Sequence, residues 1–147
     1  MKKITICDKE YEVSSNAFTR FEYKKIFGRG IFADIQALNK FSIEQEKIKK
    51  EATDKGLSEE EIQKEINNYM MENLDEFLDV VEKIAYILIY SANKSVGSFE
   101  DWLKGIEKID LSANWIGEVT ELAVSSFCWW WANSSYQKNI KYLQQTK

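Results

Sequence analysis

The sequence predicts a mainly α-helical domain with a small N-terminal β-hairpin. Three observations carry that expectation. The chain has no proline and 6 glycines in 147 residues, so the residues that break helices are scarce. Ile4, Ile6, Tyr11 and Val13 alternate with polar residues, the period of a half-buried strand. In NLDEFLDVVEKIAYILIYSANKS one apolar face widens in the second half until nearly every side of the helix is apolar, as expected of a central, buried one. A chain of this length is expected to be one domain with a core of its own.

The hairpin takes residues 4 to 13, with a turn expected around Asp8 to Glu10. Two strands are marginal alone, so their apolar side must pack on helices. Ser15 or Asn16 can cap the first helix, where Phe18, Phe21 and Lys25, with Ile26 just beyond, form a helical stripe. Gly28 and Gly30 supply its stop. A second helix starts near Ile31 or Ala33 and turns Ile31, Ile35, Leu38 and Phe41 one way.

Residues 44–67 mix lysine and glutamate and hold few apolar side chains, which predicts a solvated helical pair or a flexible excursion divided at Gly56. Ser58 and Glu61 have capping-box spacing, and Ile62, Ile66, Tyr69 and Met70 make a thin stripe. Asn73 and Glu76 repeat the box spacing before the apolar helix, whose faces hold Leu74, Phe77, Leu78, Val81, Ala85 and Leu88, widened by Val80, Ile84, Ile87 and Ile89. Ser98 and Asp101 then open a short helix with Phe99, Trp102, Leu103, Ile106 and Ile109 inward. The last long helix begins near Ser112 or Asn114 and is expected to reach at least Trp131, followed by a weak helical repeat of Tyr136, Ile140 and Leu143.

The residues argue against several function classes. There is no histidine, which removes the commonest general base and the most frequent zinc ligand. The lone Gly-x-Gly of FGRG lies between helices and matches neither a P-loop nor a dinucleotide fingerprint. Adjacent carboxylates such as Glu100 and Asp101 are explained by the dipole of the helix they open. Cys7 and Cys128 are far apart and lack metal-ligand spacing, as expected of thiols in a reducing compartment. A net charge of -4 argues against a dedicated nucleic-acid binder. The longest strongly apolar run, IAYILIY at 84–90, is well short of the ~20 residues a membrane span needs. The expectation is a cytoplasmic, non-enzymatic protein with no cofactor and no metal.

The run Trp129, Trp130 and Trp131 points to partners. Successive residues turn by about 100°, so three indoles span roughly 200° of a helix, too wide for one buried face. On the wheel, Val119, Leu122, Ala123, Ser126, Phe127 and Trp130 cluster, opposite Glu118, Glu121 and Ser125. Trp130 therefore belongs to the core face, while Trp129 and Trp131 flank it. Tryptophan is enriched in interface hot spots, so Phe127, Trp129 and Trp131 form a candidate partner-binding surface. Phe27 and Phe32, flanking the Gly28–Gly30 turn, form a second.

The order of these segments resembles the tail assembly chaperones of long-tailed, non-contractile bacteriophages and prophages. The resemblance rests on KITICDKEYEV, NAFTRFEYKKIFGRGIFADIQAL, FLDVVEKIAYILIYSAN, SFEDWLKGIEKIDL and WIGEVTELAVSSF, and covers most of the chain up to about Phe127. The charged stretch 44–67 and the tryptophan run are not features of the family. The resemblance implies a protein that binds the long, aggregation-prone tape measure protein before the tail tube polymerises around it. Many self-associating copies coat that partner, and tail tube subunits later displace them. It also implies action in the bacterial host cytoplasm and absence from the finished virion, with no catalytic residues to transfer. A cytoplasmic helical adaptor binding one folded partner is the alternative, and an enzyme ranks third.

Overall fold

A computed structural model describes residues 2–108 and 114–127. The chain runs β1 (Lys2–Ile6), β2 (Lys9–Val13), α1 (Ala17–Phe27), α2 (Ile31–Asp54), α3 (Glu59–Glu72), α4 (Leu74–Ala92), a 3-10 turn (Lys94–Val96), α5 (Phe99–Lys104) and α6 (Asn114–Phe127). The fold is mainly α with an N-terminal two-stranded antiparallel hairpin, as the sequence predicts.

The hairpin turn sits at Cys7–Asp8, not at Asp8 to Glu10. Ile6 pairs with Lys9 and Thr5 with Glu10, so both charged residues are in the ladder; Glu10 is on its solvent face, while Lys9 shares the face of Ile6 and Tyr11 and stays exposed at the ladder's end, its ammonium 5.3 Å from the Tyr11 ring centroid. Cys7 and Asp8 have φ of 51° and 64°, the positive values that match a tight turn to the strand twist. The Cys7 thiol donates to the Lys108 carbonyl at 3.0 Å. Ile4, Ile6 and Val13 are buried, and the hairpin packs this side on α4 and α6.

Helix α4 is the centre of the fold. Val80, Val81 and the run Ile84 to Ile89 are all buried, so every side of its second half meets protein. It contacts β2, α1, α2, α5 and α6. Asn73 does not cap α4 through its side chain. Its Nδ2 instead donates to the Tyr69 carbonyl at 2.9 Å, because α3 ends one residue before α4 begins and its last carbonyls need donors.

The charge-rich section is a helical pair. Helix α2 continues to Asp54, Gly56 turns the chain with φ of 77°, and Ser58 accepts the Glu61 amide at 3.3 Å to open α3. No α3 residue is buried, and Ile62, Ile66, Tyr69 and Met70 are its half-exposed stripe. Phe41 anchors the pair, with ring centroids 6.5 Å from Tyr69 and 5.5 Å from Phe77. Helix α6 turns Trp115, Ile116, Val119 and Ala123 inward, with Leu122 and Phe127 half-buried; Ser126, expected on this side, is exposed. The continuation through Trp131, Ile109 and the repeat of Tyr136, Ile140 and Leu143 lie outside the described residues.

Candidate functional site

Helix α1 is built the wrong way round for an ordinary surface helix. Asn16 caps it, accepting the Phe18 and Thr19 amides, and the Thr19 hydroxyl accepts the Asn16 amide at 3.0 Å. Gly28 ends it in the left-handed conformation, φ 72°. Between these caps the buried residues are Thr19, Glu22 and Tyr23, whereas Phe18 is 57% exposed and Phe21 55%.

Three polar contacts hold the inward side. Thr19 and Ser91 join hydroxyl to hydroxyl at 2.7 Å. Lys94 Nζ donates to both Glu22 carboxylate oxygens at 2.7 Å, and the same ammonium lies 4.2 Å from the Tyr90 ring centroid. The Tyr23 hydroxyl donates to Asp34 Oδ2. Arg29 approaches Asp34 Oδ1 at 2.6 Å, a close ion pair that is not aligned as a hydrogen bond. Burial pushes the Tyr23 phenol well above its ordinary value of 10.0, and the bond to Asp34 adds to the shift.

The outward side carries Phe18 stacked on Phe21, ring centroids 5.4 Å apart and planes 23° from parallel. Isolated exposed apolar residues are ordinary, but two stacked rings on the outward side, with Thr19 and Glu22 buried instead, are not. Ile26 and, past the turn, Phe32 are also exposed. Full burial of a phenylalanine is worth about 1.5–3 kcal/mol, so an outward pair forfeits stabilisation that a partner can recover.

The residues singled out from the sequence fall in different places. Phe32 is 39% exposed and lies beyond the turn from the α1 stripe. Phe27 is half-buried and packs inward, with ring centroids 4.8 Å from Tyr23, 5.0 Å from Phe99 and 6.2 Å from Tyr86. The structure therefore does not bring Phe27 and Phe32 into one exposed patch. Phe127 is half-buried against the core, and Trp129 and Trp131 lie outside the described residues. Phe18 and Phe21, whose direction the sequence reading left open, are the most prominent exposed aromatics among the described residues. The available signal was Lys25, which shares their stripe at i, i+3, i+7 spacing; lysine is almost never buried, so it marks the stripe as outward.

A cleft of about 210 Å³ between α2, α3 and α4, lined by Phe41, Glu44, Tyr69 and Glu76 among others, is smaller than the usual small-molecule site. Among the described residues, no group of three or more carboxylates or thiols is placed to hold a metal ion, and no helix is long and apolar enough to cross a membrane. Compared with known proteins, the chain matches no family model, no curated protein and no solved structure.

Proposed function

We propose that the chain is a non-enzymatic bacteriophage tail assembly chaperone, which binds the tape measure protein and keeps it soluble until the tail tube polymerises. The observation that carries this reading is the outward, stacked Phe18–Phe21 pair on a helix whose inward side already holds Thr19, Glu22, Tyr23 and Phe27. A tape measure protein is a long helical partner with apolar stripes to cover. A short aromatic face suits it: one contact is small enough to release, and affinity comes from repetition along the partner. The order of segments that resembles the chaperone family supports the same reading. The net charge of -4 keeps the unbound chain soluble.

The test is co-expression with the long gene product encoded beside it, followed by size-exclusion chromatography with light scattering. The expected result is a soluble long protein that elutes with many copies of this chain, and loss of that complex in the Phe18→Ser/Phe21→Ser variant. A long protein that stays insoluble beside folded, abundant chain overturns the proposal.

A further inference from the structure

The α1 face has a charge as well as an apolar stripe. Arg20, Lys24 and Lys25 are all exposed around Phe18 and Phe21. The helix has one carboxylate, Glu22, and Lys94 holds it on the inward side. Among the described residues, the ion pairs do not include Arg20, Lys24 or Lys25. A chain of net charge -4 thus presents a basic aromatic face. Its own segment 128–147 is a poor electrostatic match, because it carries Lys138, Lys141 and Lys147 and no acidic residue.

We infer that this face receives an acidic amphipathic helix of the partner, with apolar residues at i, i+3 or i+4 over Phe18 and Phe21 and glutamate or aspartate flanking them toward Arg20, Lys24 and Lys25. The dimensions agree. Helix α1 has 11 residues and is therefore about 16 Å long, enough to lie along three turns of a partner helix. Like charges in a partner segment would meet the lysines with repulsion, so the face selects among apolar stripes by the sign of their borders. The identity of that partner as a tape measure protein rests on the chaperone reading; the chemistry of the face does not.

The experiment measures fluorescence anisotropy of the full chain with two labelled synthetic 21-residue peptides, identical in their leucine stripe and bordered by glutamate in one and lysine in the other. The expected result is at least about tenfold tighter binding of the glutamate peptide, weakened by raising salt from 0.05 to about 0.5 M. Phe18→Ser/Phe21→Ser abolishes binding of both, and Lys24→Glu/Lys25→Glu reverses the preference while circular dichroism shows an unchanged fold. Equal binding of the two peptides, or a preference untouched by the charge reversal, overturns the inference. So does a chain that binds neither peptide but associates with itself through this face, since the occupant is then a second copy. Selective binding of the glutamate peptide alongside a tape measure protein that stays insoluble on co-expression upholds this inference and refutes the chaperone reading alone.

Discussion

Replacing Tyr23 with phenylalanine removes one hydroxyl from the contact that fixes α1 against α2. Tyr23 is 0% exposed and Asp34 is 1% exposed, so no water replaces the lost donor without opening the turn. Arg29 remains beside Asp34, but its approach is not aligned as a hydrogen bond. A bond to a charged group is worth about 1.5–3 kcal/mol net, and the ring itself stays packed, so the expected loss is about 2 kcal/mol. For a chain of this size that is roughly 6–8 °C in Tm. Urea unfolding followed by circular dichroism measures it. The same variant tests the raised phenol. Above pH 10.0 the unfolded chain releases this proton while the folded chain keeps it, so the folded state binds more protons and stability falls as pH rises. Each pH unit above that point costs about 1.4 kcal/mol through this group, and Tyr23→Phe removes this share of the slope. A loss below about 0.5 kcal/mol, or an alkaline slope identical in both proteins, would show that Tyr23 does not hold the turn.

Other substitutions separate the face from its scaffold. Phe18→Ser/Phe21→Ser should change stability by no more than about 1 kcal/mol in the same unfolding assay, because both rings are more than half exposed; a larger loss means that they support the fold. Ile84→Ala removes a side chain that is 0% exposed at the centre of α4 and should cost about 3–4 kcal/mol, read as a lower urea midpoint at unchanged slope. Gly28→Ala meets no atom within 4 Å of the added methyl, so its cost is that of a left-handed alanine, about 1 kcal/mol by thermal melting.

Much of the fold was legible because its signals are local. Alternation marked the hairpin, the all-round apolar pattern marked α4 as central, and Gly28 and Gly56 marked the stops. Ile31, Ile35, Leu38 and Phe41 share a side of α2 by spacing alone, and all four are buried. Errors arose where a polar residue has two uses. Lys9 and Glu10 read as turn residues but are paired, exposed members of strand β2. Asn73 read as a cap for α4 but serves the end of α3.

The direction of α1 depended on tertiary contacts. By pattern, FTRFEYKK gives opposed signals: two phenylalanines suit burial, while Lys25 on their stripe suits solvent. The fold buries Thr19, Glu22 and Tyr23 because each meets a polar partner: Ser91, Lys94 and Asp34. Two of those partners lie 72 residues away in sequence, at the far end of α4 and in the turn after it. No window along the chain contains both halves of either contact. The sequence by itself determined that a hairpin and a set of helices would close around α4. Tertiary structure decided that α1 would satisfy its polar side inside and leave Phe18 and Phe21 exposed, because a buried polar group is stable where its hydrogen-bond partner is, and the packed chain supplies that partner.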